Sequence, residues 1–197
     1  MFVALDGAKS NGIDFIPELV ERGVGHFIVE EKYRDKCAQL KANFYFVHDP
    51  LTAWQKIVAF KRREYTLPVI GITGSNGKTI VKEWLFQVLS ANYSICKNPK
   101  SYNSQIGVPL SVWGLDEKND LAIFEAGISK SDEMEKLEKI IAPTIGILTN
   151  IGDAHQANFQ NLEEKVAEKL KLFNHSKFLI VRKELVEFYK NSFAELQ

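Results

Sequence analysis

Val69-Ile-Gly-Ile-Thr-Gly-Ser-Asn-Gly-Lys-Thr79 runs from a β-branched stretch, through a turn rich in glycine, into the first residues of an apolar-periodic segment. A short β-branched run bounded by glycine reads as a buried strand, and the segment opening at Lys78 reads as a helix. Strand, glycine loop, then helix with Lys-Thr in its first turn is the layout of a phosphate-binding loop. Glycines let backbone N–H groups turn inward around phosphate oxygens, and a helix N-terminus adds unpaired donors with partial positive charge. On this reading Gly74, Ser75, Asn76, Gly77, Lys78 and Thr79 cradle nucleotide phosphates. Lys78 reaches the β- and γ-phosphates, and the Thr79 hydroxyl ligates Mg2+. The strict pattern G-x-x-x-x-G-K-[ST] places a glycine where this chain has Ile72. A plain strand-to-helix turn with an exposed lysine is the competing reading.

The variant T-G-[ST]-x-G-K-[ST], matched by Thr73 to Thr79, resembles the ATP loop of the Mur ligase family, whose members form amide bonds in peptidoglycan precursors. The rest of the chain is read both with and without that resemblance.

The 197 residues suit one large or two small domains, and 45% apolar with 25% charged residues is ordinary for a globular protein. Formal net charge is zero, so no global field favours nucleic acid or an anionic membrane. There is no apolar run long enough for a membrane span and no signal-peptide pattern at the start. Cys37 and Cys96 lack metal-site or redox spacing and read as reduced core thiols. A cytoplasmic protein is the expectation.

Strands are expected at Phe2–Leu5, His26–Glu30 and Asn43–Val47, with a short helical face at Phe15, Ile16, Leu19 and Val20 stopped by Gly23. That makes a small α/β unit, and a strand opening at residue 2 suggests further sequence before it. His26 and His48 read as satisfied strand-end histidines. Leu51 to Arg63 reads as a helix whose basic end, Lys61-Arg-Arg63, complements its own C-terminus. The domain boundary is placed near residue 65, giving domains 1–65 and 66–197.

Beyond the loop, Val81, Trp84, Leu85, Val88 and Leu89 read as a core-facing helical stripe, and Tyr93–Cys96 as a strand. Residues 97–109 read as a polar, flexible loop. Leu121–Phe124 is a second buried strand, with Glu125-Ala-Gly127 at its carboxyl end, where open α/β sheets bind ligands. A carboxylate there is placed to hold Mg2+; capping the next loop is the alternative. Asp132–Ile140 reads as a helix whose Glu133, Glu135, Lys136, Glu138 and Lys139 form a solvated face. Ile145–Thr149 is a third strand, leading to Asn150-Ile-Gly-Asp-Ala-His155. Phe178–Val181 and Lys183–Leu196 complete the reading as a strand and a helix.

Leu162 to Phe173 reads as a helix in which about 100° per residue puts Leu162, Val166, Leu170 and Phe173 in a stripe ~80° wide, with Lys169 only ~20° outside it. A lysine so placed is partly desolvated, which favours the neutral amine. A neutral amine can take up CO2 as an anionic, metal-ligating carbamate. From the residues alone, a lysine snorkelling from the core edge is the preferred reading.

The resemblance adds specific roles, and it is nearest to the MurF-type branch of the family. Phe2–Gly7 with Asn11–Ile16 is similar to the branch's N-terminal uridine-nucleotide-binding domain. Tyr102-Asn103 with Ile106–Pro109 is similar to its substrate-facing segment, which makes Asn103 a substrate contact. Phe124–Gly127 matches the metal-binding glutamate segment, Asn150–His155 the segment whose histidine helps hold a second Mg2+, and Lys169 the carbamylated lysine. The implied catalytic set is Lys78, His155 and Lys169, and the implied metal ligands are Thr79, Glu125, His155 and carbamylated Lys169. The implied activity is ATP-driven addition of D-Ala-D-Ala to UDP-MurNAc-tripeptide through an acyl phosphate.

The resemblance spans the branch's first domain and part of its second, leaving out the C-terminal amine-binding domain. Glu168–Phe173 is similar to the form fused to an alanine racemase. The fold implied is α/β: a small N-terminal α/β domain, then a mostly parallel sheet with flanking helices. Another Mur-type ligase (one adding a different amino acid or a folylpolyglutamate-like tail), a P-loop kinase or GTPase, and a nucleotide-binding fragment inactive alone are the alternatives. Oligomeric state is left open.

Overall fold

A computed structural model describes residues 1–152 and 159–196. His155 therefore lies outside the described residues. The chain divides into two compact units, Met1–Ile57 and Val58–Gln197. That division falls inside a helix, upstream of the boundary near residue 65 read from the sequence.

The first unit is built on a parallel sheet in the order β1 (Phe2–Val3), β2 (His26–Glu30), β3 (Asn43–Val47). Its connections carry the short helices α1 (Ile16–Glu21) and α2 (Arg34–Cys37). Pro17 sits in the first turn of α1, where its missing N–H costs nothing. Ile16, Phe27, Val29 and Cys37 are buried together as its core. Helix α3 (Pro50–Arg62) crosses the division.

The second unit contains a parallel sheet in the order β5 (Ile95–Lys97), β6 (Leu121–Glu125), β4 (Val69–Thr73), β7 (Ile145–Leu148), β8 (Phe178–Val181). Every residue of β4 and β6 is buried, as expected for central strands covered on both faces. Helices α4 (Lys78–Leu89), α5 (Gly107–Trp113), α6 (Met134–Ile141) and α7 (Leu162–Leu170) follow β4, β5, β6 and β7 in turn. Asn161 caps α7, its side chain accepting from Glu164 N at 2.7 Å while Glu164 reaches back to Gln160 N, also 2.7 Å.

Five local readings are corrected. Residues 97–109 are not a free loop. They include the first turn of α5, and Pro109 is tolerated there because it lies in that first turn. On α4, Val81, Leu85 and Leu89 pack on Ile70, Ile72, Leu121 and Ile123, but Trp84 and Val88 are exposed. Glu138 of the supposed solvated face is buried and lies 3.0 Å from His175 Nδ1. The stretch 183–196 breaks at Tyr189 into α8 (Lys183–Phe188) and α9 (Lys190–Ala194).

The fifth concerns the basic end of α3, which stands in that helix's last turn as read but also caps two other helices. Lys61 donates to Trp113 O at 2.6 Å and Leu115 O at 3.2 Å, at the end of α5. Arg62 donates to Ile141 O at 3.0 Å and Ala142 O at 3.2 Å, at the end of α6. The carbonyls left over at both helix ends are thereby satisfied.

Candidate active site

The site gathers at the carboxyl ends of β4, β6 and β7. Gly74 leaves β4 at φ 146°, and a Cβ there would lie 2.0 Å from Thr149 Oγ1, so only glycine makes this turn. The tip of β7 braces the loop that follows. Ser75 N donates to Asn150 O at 2.9 Å and Asn76 N to Asn150 Oδ1 at 2.8 Å. Ser75 Oγ and Gly152 exchange hydrogen bonds, accepting from its N–H at 2.9 Å and donating to its carbonyl at 3.1 Å. Two of the loop's N–H groups are thus committed to Asn150. The N-terminus of α4 supplies further donors, since the first N–H groups of a helix have no partner within it.

Lys78 folds over this turn and donates to Gly74 O at 2.9 Å. Lys169 arrives from α7 and donates to the same carbonyl at 3.3 Å, with almost no exposed surface. Burial pushes the Lys169 amine down to about 7, aided by the positive charges of Lys78 and Lys165 and opposed by Glu168. Burial also lowers Lys78, against the pull of Glu125. Lys165, fully buried one turn before Lys169, donates to Gly152 O. The neutral amine at Lys169, which this lowering makes more available, is the form that reacts with CO2.

Glu125 ends β6 with no exposed surface. Its Oε1 accepts from Thr79 Oγ1 at 3.2 Å and from Asn103 Nδ2 at 3.0 Å. Its Oε2 has no hydrogen-bond partner. Lys82 Nζ stands 3.8 Å from that oxygen, close enough for charge attraction but too far for a hydrogen bond. A buried carboxylate oxygen left unbonded beside a threonine hydroxyl fits a hard cation, which takes oxygen ligands. Among the described residues no three His, Cys, Asp or Glu side chains cluster as a metal cage. A cation here would draw its other oxygens from a ligand, as Mg2+ does when it travels with phosphates.

Of the residues read from the sequence, the structure brings together Gly74 to Thr79, Asn103, Glu125 and Lys169. Lys82, Asn98 and Lys165 were missed. Lys82 lies four residues after Lys78 and Lys165 four before Lys169, so helical spacing alone put each beside a lysine already singled out.

The Mur ligase middle domain matches residues 72–195. A UDP-N-acetylmuramoyl-tripeptide–D-alanyl-D-alanine ligase from Borreliella burgdorferi is 32% identical over 193 residues, covering 95% of this chain and 42% of the relative. The ligase of that name from Synechocystis is 37% identical over 155 residues, covering 79% and 34%. The structure of MurF from Thermotoga maritima in complex with ADP superposes with a TM-score of 0.83 at 26% identity, covering 96% of this chain and 45% of that one. This chain thus spans less than half the length of these relatives. Among its described residues no helix is long and apolar enough to cross a membrane.

Proposed function

The chain belongs to the Mur ligase family, and from that premise we propose that it supplies the ATP site for joining D-Ala-D-Ala to UDP-MurNAc-tripeptide in peptidoglycan precursor synthesis. The observation that carries the reading is the convergence of Lys78, Thr79, Glu125 and Lys169 around the Gly74 turn, with one Glu125 oxygen unbonded. In the reaction a carboxylate of the tripeptide attacks the γ-phosphoryl group of ATP, ADP leaves, and an acyl phosphate forms. The amine of D-Ala-D-Ala then displaces phosphate to give the amide.

The chain's own groups bind and orient. The N-terminus of α4 and Lys78 hold the transferring phosphoryl, and positioning with charge neutralisation accounts for most of such catalysis. Thr79 and Glu125 would hold Mg2+, which when bound supplies further neutralisation of phosphate charge. Lys169 as the free amine reacts with CO2 to give a carbamate and a proton; the carbamate, with His155, would hold a second ion. Asn103 we assign to the nucleotide-sugar substrate, through whichever of its atoms Glu125 does not occupy. The need for ATP and a uridine-nucleotide precursor places the reaction in the cytoplasm.

The test is ADP formation by a longer protein containing this sequence, with UDP-MurNAc-tripeptide and D-Ala-D-Ala each supplied or withheld. Turnover should require both, and Lys78→Ala should abolish it. ADP release that ignores D-Ala-D-Ala points instead to a kinase or simple ATPase, and turnover with a different amine to another Mur-type ligase. The same assay on residues 1–197 alone decides whether this portion turns over unaided.

A further inference from the structure

Lys82 is fully buried, and the mechanism above does not use it. Its side chain has no exposed surface. The ammonium donates to Asn98 O at 3.0 Å and to Lys100 O, and it lies 3.3 Å from Glu83 Oε1 and 3.8 Å from Glu125 Oε2. Glu83 in turn meets Lys97 at 2.5 Å. Charges therefore alternate inward as Lys97, Glu83, Lys82, Glu125.

The two carbonyls belong to a turn that reaches back to Glu125. Asn98 is fully buried; its Oδ1 accepts from Glu125 N at 2.7 Å and its Nδ2 donates to Tyr102 O at 2.6 Å. Lys100 is held at φ 51°, an uncommon conformation for a side-chain-bearing residue. The turn leads directly to Asn103, whose amide fixes Glu125 Oε1. Lys82 thus acts on Glu125 through the turn that orients it and through charge.

We infer that Lys82 is a positioning residue for the cation site: it pins the Asn98–Lys100 turn and offsets the Glu125 charge. The site consequently holds a divalent cation firmly only when nucleotide phosphates accompany it. This rests on reading Glu125 as the metal carboxylate.

The experiment is Mn2+ binding to residues 1–197, followed by water-proton relaxation with and without ADP. Lys82→Gln keeps donors for the turn and removes the charge, so Mn2+ should bind about tenfold more tightly without nucleotide, while Lys82→Arg stays near wild type. A purely structural lysine predicts the opposite, weaker binding in both conditions. Unchanged or weaker nucleotide-free binding in folded Lys82→Gln overturns the inference. Should that variant not fold, Glu83→Gln decides. The half-exposed Glu83 partly neutralises Lys82, so its loss should weaken nucleotide-free Mn2+ binding about twofold, and no change or tightening overturns the inference. Glu125→Gln separates the two readings. If it leaves Mn2+ binding intact, the metal-site assignment fails and takes the inference with it. If it removes binding while Lys82→Gln changes nothing, the inference alone fails.

Discussion

Two buried lysines stand on opposite sides of the Gly74 turn, and their surroundings differ. Lys169, on the β7 side, meets Lys78 and Lys165, partly offset by Glu168, and a single shared carbonyl. Lys82, on the β6 side, meets Glu83, Glu125 and two carbonyls of its own. Burial is nearly complete for both. The charges around the two buried amines differ in sign: mostly like charges face Lys169, and carboxylates face Lys82. The site thus sets a depressed amine on one side against a buried carboxylate on the other.

Lys82→Met should break the comparison most visibly. It leaves Glu125 and two carbonyls without their cation, while Glu83 keeps Lys97, and removing one partner from a buried pair costs about 3–5 kcal/mol. Urea unfolding should show that loss as a lower midpoint at an unchanged slope. A variant as stable as wild type would mean that the alternating charges contribute nothing to the fold.

Lys169→Met should go the other way. The folded amine titrates at about 7, below its ordinary value of 10.5. Between those values the unfolded chain holds a proton that the folded chain lacks, so stability from this group rises with pH across the window. Below about 7 both states are protonated and the penalty of burying the charge is complete. The methionine variant has no such slope. Its stability relative to wild type should be greatest near about pH 6 and fall by about 2–4 kcal/mol towards about pH 10. Parallel stability curves would show that Lys169 is not held as a depressed amine.

The same contrast explains what could be read in advance. His26–Glu30, Asn43–Val47, Val69–Thr73 and Phe178–Val181 were legible residue for residue, because β-branched and aromatic runs between turn residues leave few alternatives. That the loop and Glu125 would meet at strand ends was legible, because such folds put their loops and carboxyl ends on one side of the sheet. Lys82 was not, for the reason that Trp84 and Val88 were misplaced. At about 100° per residue, Lys78 and Lys82 lie on the far side of Val81 and Leu85 from Trp84 and Val88. The inward face of α4 is centred towards the two lysines, whereas hydrophobicity alone centres it towards Trp84 and Val88. Periodicity finds an apolar stripe, and it errs where buried positions are charged for the sake of a site. The α5 turn was hidden similarly, since Gly107 and Pro109 look like loop residues unless a helix start is sought.

The smallest expected effect tests the β6 side alone. A Cβ on Gly127 would sit 3.0 Å from Asn103 Oδ1 and 3.1 Å from its Cγ, close enough to displace the amide by a few tenths of an ångström. Gly127 does not share the positive φ of Gly74, so Gly127→Ala carries no backbone strain. It also narrows the unfolded ensemble, which favours folding by roughly 0.4–1 kcal/mol and offsets much of the crowding. Stability should therefore stay within about 1 kcal/mol of wild type, while the Asn103 side-chain amide shifts in nitrogen-15 correlation spectra as its bond to Glu125 loosens. Gly74→Ala, by contrast, should lose the loop itself, because its Cβ meets Thr149 at a distance no side chain can occupy. If Gly127→Ala destabilises as much as Gly74→Ala, Asn103 and Glu125 are locked into the core as firmly as the phosphate turn. If it moves neither stability nor the Asn103 signal, that amide is not held by Glu125, and the β6 side is looser than the contacts around Lys82 require.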